Sequence, residues 1–323
     1  MEKLSLLKTF FGHDKFRTGQ ELLIDALLSG RDVLGVMPTG AGKSVCYQLP
    51  ALMLPGITLV ISPLISLMKD QVGALLQSGV PAAYLNSSLS QEEYYQVMAG
   101  VRRGEYKLLY VAPERLLAEG FLSLAKRTPI SLLAVDEAHC VSQWGQDFRP
   151  SYLQIPEFIK ALPKRPVLGA FTATATRQVK ADIARLLLLK EPLGVTTGFD
   201  RPNLFFSVER PKNKAAWLCS FLRSRSQESG IVYCSTRKQV EAIYEMLGAR
   251  GIAAARYHAG LSDEERRMNQ EEFVNDRVRV MAATNAFGMG IDKSNVSFVV
   301  HYNMPKDIES YYQAVSYTHL TLP

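Results

Sequence analysis

The sequence predicts an α/β protein of two lobes, each built on a parallel sheet with helices on both faces. Three observations predict it. At 323 residues the chain exceeds the usual span of a single hydrophobic core. Short, near-continuous apolar runs alternate with longer stretches of helical spacing, the pattern of strands buried on both faces. One stretch rich in Gly, Pro and turn formers, EPLGVTTGFDRPNLFF at 191–206, separates the runs into two series and reads as a linker.

The first series is DVLGVM (32–37), GITLVISP (56–63), YKLLYVAP (106–113), ISLLAVDE (130–137) and PVLGAFTA (166–173), each bounded by Gly, Pro or charge. Between them, QELLIDALLSG (20–30) and PALMLP (50–55) carry helical spacing. The second series is NLFFSVE (203–209), GIVYCST (230–236), AAARYHAG (253–260), VRVMAATN (278–285) and VSFVVHYN (296–303). Lobes over 1–195 and 196–313 are therefore expected, with a cleft at the carboxyl ends of their strands.

Composition narrows the function classes. Apolar residues make up 47% and charged residues 21%, an ordinary soluble balance. No apolar run approaches the ~18 residues of a membrane span, and MEKLSLLKTFFGHDKF lacks a signal-peptide cleavage site, so a cytoplasmic, nucleoid-associated protein with no membrane partner is expected. The net charge of +6 and pI near 9.0 permit a polyanion partner but equally describe a solvated surface. Cys46, Cys140, Cys219 and Cys234 stand singly, with no CxxC pair, and read as buried, reduced thiols; no zinc site is expected.

After the first strand comes PTGAGKSVCYQLP (38–50). Amides of a glycine loop at a helix start can wrap a polyphosphate, which the helix dipole favours. In this reading Thr39, Gly40, Ala41 and Gly42 form the loop, Lys43 reaches the outer phosphates and Ser44 ligates magnesium. ISLLAVDEAHC (130–140) ends a strand in two carboxylates: Asp136 is placed to hold magnesium and Glu137 to orient the attacking water. ATP and Mg2+ are the expected cofactors.

DEAH is followed by CVSQWGQDFRPSY (140–152), and FGHDKFRTGQ (11–20) stands near the N-terminus. From residue 8 to residue 313 the chain resembles the RecQ family of DNA helicases, in superfamily two. That resemblance implies two tandem RecA-like lobes and ATP-driven 3′ to 5′ movement on single-stranded DNA. It also implies unwinding of partially duplex DNA in repair and recombination. Met37, where the general phosphate-loop pattern has Gly, becomes the helicase-type variant.

Carried over by position, Gln20 would read adenine through its amide, Arg17 would stack on the base, and His13 would occupy a stacking position that is usually aromatic. Phe11 and Phe16 read as core. Trp144, Phe148 and Arg149 in SQWGQDFRP would meet unpaired bases and backbone, since stacking tolerates any sequence. FTATAT (171–176) would hydrogen-bond the Asp136–His139 region. Ser62, Lys69 and Gln71 in SPLISLMKDQV (62–72) are candidate DNA contacts, and APERL (112–116) resembles another backbone-touching segment. In the second lobe VYCSTRKQVE (232–241), YHAGL (257–261) and ATNAFGMGIDKSNVSFVVHYNMP (283–305) match further motifs, with Thr284, Gly288, Gly290 and Asp292 on a turn that meets DNA and nucleotide.

The resemblance stops after Tyr311, Tyr312 and Gln313. The family's arginine-rich run, which supplies a charge-neutralising finger worth about 10³ to 10⁵ in turnover, has no counterpart in residues 314–323. That uncharged stretch looks like translation through a sequencing adapter, and the second lobe is expected to be incomplete. The sequence therefore leaves two alternatives to a working motor: a fragment that binds ATP and DNA without productive turnover, and an RNA helicase sharing the phosphate site, which the SQWGQDFRP loop disfavours.

Overall fold

The computed structural model describes residues 2–38, 40–145, 147–198, 204–284 and 295–305, with the single residues 287, 293 and 311. Thr39, Gly288, Gly290, Asp292, Tyr312, Gln313 and the tail at 314–323 lie outside the described residues. The chain divides into two compact units, Met1–Phe199 and Asp200–Pro323.

The first unit opens with α1 (Lys3–Phe11) and α2 (Gln20–Leu28) and continues with β1 (Val33–Val36), α3 (Val45–Met53), β2 (Ile57–Ile61) and α4 (Ile65–Gln77). There follow β3 (Ala82–Leu85), α5 (Gln91–Arg103), β4 (Leu108–Val111), α6 (Glu119–Ala125), β5 (Ile130–Val135), α7 (Ile155–Ala161), β6 (Val167–Thr172), α8 (Arg177–Leu186) and β7 (Leu193–Thr196). The seven strands run parallel in the order β3-β4-β2-β5-β6-β1-β7. Side chains alternate across the sheet: Leu59 and Leu133 enter one apolar cluster, Val60 and Ala134 the other. Both faces are thus buried, which explains why the strands read as unbroken apolar runs.

Two strands escaped the sequence reading. β3 and β7 have four residues each, and β7 lies inside the stretch read as a linker, with Thr197 N still donating to Val36 O at 3.0 Å. Both are short sheet-edge strands, one beginning beside Pro81 and the other beside Pro192, so turn-forming residues adjoin each of them. The five strands that were expected are all present.

The second unit holds α9 (Lys214–Ser224), β8 (Ser229–Tyr233), α10 (Arg237–Ala249), β9 (Ala254–Tyr257), α11 (Asp263–Val274), β10 (Val280–Ala283) and β11 (Val296–His301). Its four strands are parallel in the order β11-β8-β10-β9, again with alternate residues feeding two clusters: Val232 and Ala282 in one, Ile231 and Met281 in the other. NLFFSVE, expected as a strand, forms none over its described residues: Phe205, Phe206 and Val208 are exposed. Its apolar composition is not matched by a partner strand there.

Both sheets use one packing device. Phe171 of β6 sits opposite Gly35 of β1 and Phe298 of β11 opposite Gly230 of β8, so each ring lies over a strand position that has no Cβ. All four cysteines are buried and unpaired. No described helix is long and apolar enough to cross a membrane.

Candidate nucleotide site and nucleic-acid loop

Because the strands of the first unit are parallel, the segments after β1, β5 and β6 all emerge at one sheet edge. Lys43 follows β1, Asp136 and Glu137 follow β5, and Thr172 ends β6, which lies between them. Lys43 Nζ stands 3.3 Å from Glu137 Oε1, with both side chains mostly shielded. Glu137 has a left-handed backbone (φ 45°), a conformation that is strained for a side chain of this size and that concentrates at functional sites.

The carboxylates are electrostatically unlike. Burial, and next the charge of Glu137, pushes the Asp136 carboxyl up to about 6. Burial opposes ionisation of Glu137, but the Lys43 ammonium outweighs it and holds this carboxyl below its ordinary value. Asp136 is further fixed by its backbone, with its N donating to Ile61 O at 2.9 Å and its O accepting from Tyr152 OH at 2.9 Å.

His139 was read only as part of DEAH, yet the geometry gives it a defined task. The Thr172 hydroxyl donates to Thr174 O at 3.0 Å, so at 2.8 Å it accepts from Nδ1–H of His139. The same Nδ1 lies 3.4 Å from Glu137 Oε2. Burial holds His139 below its ordinary value, so the ring is neutral and its tautomer is set by Thr172. The hydrogen bond expected between FTATAT and the Asp136–His139 region is therefore present.

The phosphate loop turns through Gly40 and Gly42, both at φ 78°. The left-handed φ of Gly42 favours glycine, and a Cβ there would stand 2.4 Å from Gln20 Nε2 and displace that side chain from the loop. Gln20 is buried; its amide donates to Ala41 O at 3.2 Å and Gly42 O at 3.0 Å, and its Oε1 accepts from Arg17 N at 2.8 Å. The Arg17 guanidinium donates to Gly40 O. Gln20 and Arg17 are thus brought to the loop, with the Gln20 amide protons spent on loop carbonyls, whereas His13 is exposed. Phe11 and Phe16 are partly buried and pack against the cluster formed by α1, α2 and α3. Ser44 directly precedes α3.

These residues fit a nucleotide with its metal. The left-handed turns at Gly40 and Gly42 bring the loop to the start of α3, and two shielded carboxylates share a single lysine, an excess of negative charge that a divalent cation would correct.

Trp144 is 73% exposed on the loop after DEAH, and Phe148 is half-buried. The Arg149 guanidinium is already engaged, donating to Asp147 Oδ2 at 2.8 Å and to Pro63 O at 2.7 Å. Ser62 is fully buried with an unpartnered hydroxyl, Lys69 is exposed, and Gln71 Oε1 accepts from Gln48 Nε2 at 2.9 Å. In the second unit Thr284 N donates to Tyr257 O at 3.1 Å, just past β10.

Residues 17–182 match the DEAD/DEAH box helicase profile, and residues 213–319 match the helicase conserved C-terminal domain. The chain belongs to the DEAD/DEAH box helicase family. Within it the chain is similar to RecQ helicases: it is 50% identical over 310 residues to "ATP-dependent DNA helicase RecQ" of Bacillus subtilis (strain 168), covering 96% of this chain and 52% of that one. Against the RecQ helicase of Pasteurella multocida (strain Pm70) it is 49% identical, covering 96% and 49%. This helicase core therefore spans about half the length of the curated relatives it matches. The fold is shared with more distant helicases. Dbp5 of S. cerevisiae bound to RNA and ADP BeF3 gives a TM-score of 0.74 at 18% identity, covering 98% of this chain and 84% of that one. Lhr of Mycobacterium smegmatis, bound to ssDNA and AMP-PNP, gives 0.74 at 19%, covering 98% and 46%. The RecA-like α/β architecture of the helicase core is thus established in both units.

Proposed function

We propose that this helicase core is the motor of an ATP-dependent DNA helicase, moving 3′ to 5′ on single-stranded DNA and opening partially duplex DNA during repair or recombination in the cytoplasm. One observation carries the reading: Lys43, Asp136 and Glu137 meet in a shielded cluster beneath a glycine turn, with negative charge in excess. The names of the relatives supply the nucleic acid.

In this reading amides from Gly40 to Ser44, with Ala41 and Thr39 in the loop, hold the phosphates, and the Lys43 ammonium neutralises their oxygens. Ser44 and Asp136 would hold Mg2+, which when bound offsets charge on the transferring phosphoryl group. Glu137, kept ionised by Lys43, accepts a hydrogen bond from water and orients it. Thr172 fixes the ring of neutral His139 beside that carboxylate. Arg17 and His13 flank the base, and Gln20 would read it by exchanging its bonds to Ala41 O and Gly42 O for the adenine edge. Trp144 and Phe148 stack on unpaired bases, with Arg149, Lys69, Gln71 and Thr284 toward the backbone; Ser62, fully buried, is not available as the DNA contact expected of it. Lobes over 1–195 and 196–313 divide these tasks.

Binding of a fluorescent ATP analogue to wild type and to Lys43→Ala tests the assignment. A loss of affinity of about tenfold or more is expected for an ion pair to phosphate; equal affinities would remove Lys43 from the site.

A further inference from the structure

Helix α8 carries an acid where its apolar face should continue. Val179 and Ile183 point into the core, and Asp182, at the intervening face position, is 6% exposed. A buried carboxylate is costly unless its oxygens are satisfied. Both are: Oδ2 accepts from the Ser142 hydroxyl at 2.7 Å and Oδ1 accepts from Arg185 Nη2 at 3.0 Å. Ser142 itself is fully buried, and having given its proton to Asp182 its Oγ accepts from Trp144 N at 3.2 Å.

The same few residues lie against the DEAH segment. Ser142 N donates to His139 O at 3.1 Å, and a Cβ on Gly145 would stand 2.2 Å from that carbonyl. His139 is meanwhile bound to Thr172 at the end of β6, four residues before the Thr176 that caps α8. The base of the Trp144 loop is therefore clamped to the β6–α8 connection at two points, His139–Thr172 and Ser142–Asp182. A chain of contacts runs from Trp144 through Ser142 and His139 to Glu137.

We infer that Asp182 is a positioning residue that, through Ser142, holds the Trp144 loop in the arrangement that receives single-stranded DNA. This rests on the reading of that loop as a DNA site. Asp182 touches neither nucleotide nor DNA; it acts by fixing the hydroxyl on which the Trp144 backbone hangs. An apolar residue would fill α8's face without fixing it.

The protein has two tryptophans, so Trp217→Phe leaves Trp144 as the sole reporter. Titrating that protein with oligothymidylate while following Trp144 emission gives the affinity directly. Asp182→Ala and Ser142→Ala are each expected to weaken binding about tenfold, as loss of one charge-assisted hydrogen bond to a loop allows. The double variant should be no worse than either single one, Asp182→Asn, which keeps an acceptor for the hydroxyl, should restore most of the affinity, and ATP-analogue affinity should stay within twofold throughout. Wild-type affinity in Asp182→Ala, additive losses, or a parallel loss of nucleotide affinity would overturn the inference. Should Asp182→Ala not fold, Ser142→Ala decides by the same readings. An unresponsive Trp144 in the parent protein would instead sink the DNA-loop reading itself, and the inference with it.

Discussion

The two sheets share strand direction, two-faced burial and even a Phe-over-Gly contact, but the charges at their carboxyl ends are treated differently. In the first unit Lys43 and Glu137 have side chains 12% and 20% exposed, and a second carboxylate, Asp136, lies beside them without a cation of its own. In the second unit Glu241 ties Arg256 and His258 together, with Arg256 and Glu241 31% and 30% exposed, and Glu265 nearby at 3.6 Å. Gly260 N donates to His258 Nδ1 at 3.1 Å, which puts the proton on Nε2 facing Glu241. Each cluster sets two carboxylates against one full cation, but the first is shielded and the second is wetter, with Glu265 44% exposed and its members bonded to one another. A parallel sheet edge becomes a site for a charged ligand where the excess charge is shielded from water, and the architecture alone does not confer it.

The largest expected effect breaks or keeps that contrast. Glu137→Gln should lower DNA-stimulated ATP hydrolysis by about 10² to 10³, the scale of losing a group that acts in the transition state. Glu241→Gln, with the same chemical change, should cost less than about tenfold, because its partners are its own neighbours. Steady-state hydrolysis by the two variants side by side decides it, and comparable losses would dissolve the distinction.

Next in size is a packing difference. A Cβ on Gly35 would meet Phe171 at 3.0 Å, a contact that small shifts relieve, while one on Gly230 would fall 2.2 to 2.4 Å from three atoms of the Phe298 ring. Gly230→Ala is expected to destabilise its unit by about 1–3 kcal/mol, in the range of overpacked cores, and Gly35→Ala by less. Urea unfolding followed by Trp217 emission in a Trp144→Phe background for Gly230→Ala, and by circular dichroism for Gly35→Ala, gives both values. The reverse order would mean that Phe298 swings aside more easily than Phe171.

How much of this was legible follows from the same chemistry. Five strands of the first sheet could be read because burial on both faces leaves unbroken apolar runs such as ITLVI. β3 and β7 could not, since four residues next to a proline resemble a turn, and NLFFSVE misled because apolar composition alone does not supply a pairing partner. Lys43, Asp136 and Glu137 were legible as a motif. The link from FTATAT to the DEAH segment was legible through the family resemblance, but the role of Asp182 was not, because it depends on a contact with Ser142, 40 residues away. Asp182 did leave a trace: an acid at an apolar-face position of α8.

A smaller effect separates two histidines that burial holds below their ordinary value. His139 is hydrogen-bonded to Thr172, whereas His301 Nε2 is buried without a partner, its ring beside Tyr233, and burial lowers it to about 4. Below pH ~6.5 the unfolded histidine takes up a proton that the folded one refuses. Stability of the second unit should therefore fall as pH drops from about 6.5 to about 4. His301→Phe should flatten that part of the profile, and thermal unfolding of both proteins across this range checks it. An unchanged slope would place the proton uptake on another group.

The smallest expected effect is also the cleanest comparison, because α5 and α11 begin alike. Ser90 Oγ accepts from Glu93 N at 3.2 Å while Glu93 Oε2 accepts from Ser90 N at 2.7 Å; Ser262 and Glu265 repeat this at 3.2 and 3.0 Å. Replacing either serine by alanine should cost about 1 kcal/mol. The surroundings differ in one respect: Glu265 also lies 3.6 Å from Arg256, so its cap touches the Glu241–His258 cluster. If that cluster is closed on itself, it loses nothing with the Ser262 hydroxyl, and the two alanine variants should shift their own unit's denaturation midpoint by equivalent free energies. A clear excess for Ser262→Ala would show that cap and cluster stabilise each other, and that the second unit's charges are a cooperative network.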